Sequence, residues 1–234
     1  MRPFPLKNAQ LIVCDMAGTV INEKGIIYNT IEKTLNRMGF ETGKKESWYG
    51  REKKEVLYNE IRNNMVNSHF IEDTVNIVEK ELVKELENEY FSNTSEVKLM
   101  HPDLPILFER LRYNGIKMTL NTGYPEQLQE KIIKHFDMTD YIDDFISSED
   151  VIMGRPAPYM IYHLMERQYI MNPDCVVKIG DTNYDILEGK IAKCGLTVGV
   201  LSGVGTIADL NKADIIIDNI MSIENFECDE RYLF

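Results

Sequence analysis

Apolar residues along the chain follow two rhythms. Short unbroken runs, "LIVC" (11–14), "IKMTL" (116–120), "VVKI" (176–179) and "TVGVL" (197–201), are bounded by turn-forming residues, and "DFISS" (144–148) and "DIIID" (214–218) form two weaker ones. Runs without polar alternation suit strands buried on both faces of a parallel sheet. Between them lie the helix-like stretches "PEQLQEKIIKHF", "APYMIYHLMERQYI", "YDILEGKIAKCG" and "GTIADLNKA". Pro125 stands at the start of the first, and Gly195 sits where the third should stop before a strand. Strand alternating with helix predicts an α/β fold with a doubly wound, Rossmann-like parallel sheet.

Residues 25–93 break this rhythm. They hold no convincing strand and three helical patterns, "IYNTIEKTLNRMGF", "EKKEVLYNEIRNNM" and "IEDTVNIVEKELVKELENEYF". In the last, Val75, Val78, Leu82 and Leu86 recur at helical spacing. The predicted layout is therefore a core from 1–24 and 94–234, with a helical cap, 25–93, inserted after the first strand. Such an insert is expected at the carboxyl ends of the strands, the edge where open α/β sheets bind ligands.

Composition narrows the function classes. With 38 acidic against 26 basic residues the formal net charge of the 234-residue chain is −12, which argues against broad nucleic-acid binding. The four cysteines (Cys14, Cys175, Cys194, Cys228) show no CxxC pair and no zinc-like spacing. The segment "MRPFPLKNAQ" lacks the apolar core of a signal peptide, and no run approaches membrane-spanning length. A cytoplasmic protein without membrane association is expected.

Polar groups collect at four strand ends. "LIVCDMAGTV" delivers Asp15 and Thr19, "LNTGY" delivers Thr122, Gly123 and Tyr124, "MGRPAPY" sets Arg155 before a Pro-started helix, and "KIGDTNYD" delivers Asp181 and Asp185. A carboxylate that attacks phosphorus must approach a centre already bearing negative oxygens, and Mg²⁺ reduces that repulsion. Asp181 and Asp185 are placed to hold such an ion beside Asp15, while Thr122 and Arg155 neutralise phosphoryl oxygens. Asp181 and Asp185 are equally compatible with a helix N-cap and a first-turn acid.

The series "DMAGT…NTGY…GRPAPY…GDTNYD" resembles the haloacid dehalogenase superfamily over nearly the whole chain, and within it the phosphonoacetaldehyde hydrolase (phosphonatase) branch. The resemblance implies an aspartyl-phosphate on Asp15, catalytic roles for Asp15, Thr122, Arg155 and Lys53, and Mg²⁺ at Asp15, Ala17, Asp181 and Asp185. It also implies substrate contacts at Ala17, Tyr49, Gly123 and Tyr124. Most members of the superfamily carry an acid/base aspartate where this chain has Ala17; alanine is usual in the phosphonatase branch. There a cap lysine, here Lys53 of "YGREKKEV", forms an iminium with the substrate aldehyde and accepts the electrons of the broken carbon–phosphorus bond. Val56 stands in place of that branch's histidine, and Gly25 and Tyr49 replace a cysteine and a methionine. The expected partner is a small phosphonate or phosphate substrate, with a homodimer left open. The rival readings are a phosphomonoester phosphatase without carbon–phosphorus cleavage and a catalytically idle phosphate-binding protein.

Overall fold

The computed structural model describes residues 6, 8–23, 25–48, 51, 53–66 and 68–225. The chain divides into two compact units, one bounded by Met1–Asn22 and Lys98–Phe234, the other spanning Glu23–Val97.

The first unit is built on six strands, β1 (Leu11–Asp15), β4 (Lys117–Thr122), β5 (Asp144–Ser147), β6 (Val176–Gly180), β7 (Leu196–Val200) and β8 (Ile215–Ile217). Their order is β5-β4-β1-β6-β7-β8, and every pairing is parallel. Every residue of β1, β6 and β7 is buried, which explains why their sequences are unbroken apolar runs. Helices α4 (Leu104–Tyr113), α5 (Glu126–His135), α6 (Tyr159–Arg167) and α7 (Asn183–Ile191) connect them. Met160, Ile161 and Leu164 of α6 pack with Leu11 and Val13 of β1 and Val176 of β6 in one apolar cluster. A two-residue antiparallel ribbon, β2 (Ile21–Asn22) with β3 (Lys98–Leu99), ties together the points where the chain leaves this unit and returns.

Three local expectations need correction. Helix α4 was not anticipated, although Leu104, Leu107, Phe108 and Leu111 form its buried stripe. The stretch "GTIADLNKA" is not a helix. Asp209 caps Thr206 through its backbone amide and hydroxyl, and after one turn (Leu210 amide to Thr206 carbonyl) the chain bends away. Gly195 is not the helix stop: Lys193 takes the left-handed conformation after α7 (φ 60°). Glycine is required at 195 because a Cβ there would lie 2.0 Å from the Asp174 carbonyl oxygen.

The second unit contains α1 (Ile26–Arg37), α2 (Lys53–Asn64) and α3 (Ile71–Phe91). The spaced apolar residues Val75, Val78, Leu82 and Leu86 of α3 are all buried, as are Ile31 and Leu35 of α1 and Val56, Leu57 and Ile61 of α2. Two buried carboxylates are satisfied inside this unit. Glu23 accepts a hydrogen bond from Tyr90, and Glu60 accepts from the Trp48 indole at 2.8 Å and the Gly43 amide at 2.9 Å.

Candidate active site

In the sheet β1 lies between β4 and β6, so the chain crosses over in opposite directions on its two sides, the usual place for a ligand site in a doubly wound sheet. Asp15, its last residue, is buried. The chain then reverses in a tight turn in which the Met16 carbonyl accepts from the amides of Thr19, Val20 and Ile21. Gly18 in this turn has φ 81°, and a Cβ on it would stand 2.6 Å from Asp181 Oδ2. The turn is therefore packed directly on the end of β6, and Ala17 is carried in it.

At that end, Gly180 is followed by Asp181 and the N-terminus of α7. Thr182, not Asp181, is the N-cap: its hydroxyl and the Asp185 carboxylate make a reciprocal capping box. Asp181 is thus free for another role. Its Oδ2 accepts the Val204 amide at 2.8 Å, while Oδ1 is buried with no hydrogen-bond partner among the described residues. Such an orphan is costly unless something else satisfies it. A Cβ on Gly203 would come within 1.9 Å of Asp181 Oδ2, so the loop after β7 is moulded round this side chain.

Asp15, Asp181 and Asp185 each contribute one carboxylate oxygen to a group in which all three lie within 4.8 Å of one another. Arg155, in the loop before α6, bridges two of them, at 2.5 Å from Asp15 Oδ1 and 2.7 Å from Asp185 Oδ1. Behind Asp185 lies a second cation that sequence reasoning missed. Lys178 of β6 is wholly buried, its Nζ 3.0 Å from Asp185 Oδ1, 3.2 Å from Glu188 Oε2 and 2.6 Å from Asn121 Oδ1. Asn121, opposite Asp15 in the β1–β4 register, also donates to both oxygens of Glu188. One polar residue in the run "VVKI" was the only local signal.

Charge competition follows from this packing. Burial pushes the Asp15 carboxyl up to about 7, helped by the Asp185 charge and opposed by Arg155 and Lys178. Burial and the charges of Asp15 and Asp185 raise Asp181 well above the usual carboxylate range. Asp185 goes the other way: burial alone would raise it, but Arg155, Lys178 and Thr182 hold it below its ordinary value. Lys178 is held above its ordinary value because Asp185 and Glu188 outweigh the effect of burial. Four carboxylates (Asp15, Asp181, Asp185, Glu188) face two cations (Arg155, Lys178), so the fully ionised cluster carries a net charge of −2. Hard oxygen donors, an orphaned carboxylate oxygen and this excess charge fit a divalent cation.

The other anticipated residues fall in three places. Thr122 ends β4 beside Ser147 of β5, is buried, and accepts the Tyr124 amide at 3.2 Å. Gly123 follows it, and Tyr124 is buried, its carbonyl accepting from the Ser147 hydroxyl at 2.5 Å. Lys53 is the first residue of α2 in the second unit, where its ammonium pairs with Glu79 of α3 at 3.0 Å. Tyr49 and Gly50 lie outside the described residues.

A family model of haloacid dehalogenase-like hydrolases matches residues 12–198, which include Asp15, Thr122, Arg155, Lys178, Asp181 and Asp185. The chain belongs to the haloacid dehalogenase-like hydrolase family. Within the family it is similar to the phosphonoacetaldehyde hydrolase of Bacteroides fragilis, 33% identical over 148 residues that cover 61% of this chain and 56% of that protein. The phosphonoacetaldehyde hydrolase of Latilactobacillus sakei is 37% identical over 107 residues, 45% of this chain and 40% of that protein. The chain thus spans about half the length of these curated relatives. Its fold matches the crystal structure of a phosphonoacetaldehyde hydrolase-like protein from Oleispira antarctica with a TM-score of 0.75 at 18% identity, over 96% of this chain and 93% of that one. The haloacid dehalogenase-like fold accounts for the six-stranded parallel sheet with Asp15 at the end of one of its two central strands. Among the described residues no helix is long and apolar enough to cross a membrane.

Proposed function

We propose that this haloacid dehalogenase-like chain is a Mg²⁺-dependent phosphohydrolase that acts on a small phosphonate or phosphate through an aspartyl-phosphate on Asp15. The observation that carries the reading is the convergence of one carboxylate oxygen each from Asp15, Asp181 and Asp185. Asp15, Asp181 and Asp185, with Ala17, would hold the cation, which when bound supplies charge neutralisation for an anionic substrate and keeps Asp15 ionised. Asp15 attacks phosphorus in line. Arg155 already touches Asp15, and its fixed positive charge would stabilise the charge that develops on phosphoryl oxygens. The Thr122 hydroxyl and the Gly123 and Tyr124 segment at the end of β4 bind the same phosphoryl group. Water then opens the acyl-phosphate and returns Asp15 to its starting state.

The names of the curated relatives and the alanine at position 17 favour a phosphonate whose leaving carbon needs an electron sink instead of an acid. In that reading the Lys53 amine adds to the substrate aldehyde, water leaves, and the iminium takes up the electron pair of the broken carbon–phosphorus bond as an enamine; protonation at carbon and hydrolysis by water then release acetaldehyde and the Lys53 amine. One observation favours the phosphate-ester alternative: Val56, where the phosphonatase histidine would stand, is buried in the apolar packing of α2.

Phosphate release from phosphonoacetaldehyde beside a panel of phosphomonoesters, each with Mg²⁺, tests the proposal. Acetaldehyde formed together with phosphate, and aldehyde-dependent borohydride trapping lost in Lys53→Arg, are expected. Turnover of phosphomonoesters alone, with no trapping, would leave the aspartyl-phosphate chemistry and remove the phosphonate.

A further inference from the structure

The Lys178 ammonium has three N–H donors and three acceptors around it: Asn121 Oδ1, Asp185 Oδ1 and Glu188 Oε2. All four side chains are buried. The acceptors come from two elements, Asn121 from β4 and Asp185 with Glu188 from α7, so the ammonium ties the strand to the helix. The helix is brought close enough by Gly189, where a Cβ would lie 2.9 Å from Lys178 Cβ and 2.6 Å from Thr197 Cγ2. Asp185 is consequently held from both ends, Oδ1 by Lys178 and Arg155 and Oδ2 by the Thr182 hydroxyl at 2.5 Å.

We infer that Lys178 is a positioning residue of the cation site, pinning Asp185 from behind so that its carboxylate faces Asp15 and Asp181. The inference rests on the metal-site reading of those three carboxylates. Outer-shell partners of metal ligands act in this manner, orienting a ligand they do not replace.

The sign of the effect separates positioning from plain charge. Coulomb repulsion between the Lys178 ammonium and a divalent cation weakens metal binding, so removing the ammonium tightens it if charge is the whole story. If Lys178 positions Asp185, its removal loosens binding.

Isothermal titration of the full chain with Mn²⁺ reads this without any turnover. Lys178→Met is expected to raise the Mn²⁺ dissociation constant by about 10- to 100-fold. Because that variant leaves Glu188 buried without its cation, Lys178→Met/Glu188→Gln is measured beside it; it deletes one charge of each sign and leaves Asn121 an amide to bond. The double variant should fold, by its circular dichroism and urea transition, and show the same loosening. In an Asp185→Asn background, Lys178→Met should add no further loss. Unchanged or tighter Mn²⁺ binding in the folded double variant overturns the role of Lys178. Absence of Mn²⁺ binding by the parent protein overturns the metal site itself, and this inference with it.

Discussion

Asp15 faces two opposed demands. As the proposed nucleophile it must be ionised, yet it is 3% exposed and has a carboxylate oxygen within 4.8 Å of two other carboxylates. Folding therefore raises its pKa from 3.8 to about 7. A carboxyl that binds its proton more tightly folded than unfolded costs stability as pH rises: the loss begins near the unfolded value and is complete above the folded one. In EDTA, Asp15→Asn should be more stable than the parent at pH 8, and the gap should close as pH falls through 7 toward 4, read as urea midpoints. Saturating Mg²⁺ should reverse the order at pH 8, since it stabilises only the chain that binds it well. The same variant, with deamidation excluded by mass spectrometry, should lose turnover by on the order of 10⁴-fold or more. A midpoint gap that grows on acidification would contradict the charge balance described for this residue.

At the scale of elements, the site is made by the ends of strands and the turns that follow them. The loop after β7 is moulded on Asp181, so Gly203→Ala must displace one or the other. A roughly tenfold weaker Mn²⁺ affinity is expected for it, whereas Gly43→Ala, whose Cβ would first meet the Glu60 side chain of the other unit, should leave that affinity unchanged. Thr182→Ala removes the cap of α7 and should cost about 1 kcal/mol of stability by urea unfolding. These contacts also mark how far the sequence was legible. The strands announced themselves as apolar runs because they are buried on both faces, and α1 to α3 because each buries one stripe. Asp15, Asp181, Asp185 and Arg155 were legible as strand-end chemistry, and the structure brings them together. The helix α4 carried an equally regular stripe and was overlooked, while "GTIADLNKA" had helical composition but is closed after one turn by Asp209. Lys178 could not be read in advance. Its partners Asn121 and Asp185 belong to other elements, the first of them 57 residues away, and a lone lysine in an apolar run carries no pattern.

Among the described residues, apolar side chains are buried around the parallel sheet in one unit and among α1, α2 and α3 in the other. All the carboxylates proposed to hold the cation belong to the first. A ligand stabilises whatever cooperative unit contains its site, by about 2.7 kcal/mol at a hundred times its dissociation constant, and leaves independent units as they were. Native-state hydrogen exchange with and without Mg²⁺ at pH 8 should therefore show added protection for the amides of β1, β4 and β6, and little change for the buried faces of α1 and α3. Equal protection across both units would mean that they unfold together. In that case a substitution in α3 such as Leu82→Ala, which should cost about 2–5 kcal/mol of packing, would lower the protection of the sheet as well; with independent units the sheet amides keep their protection.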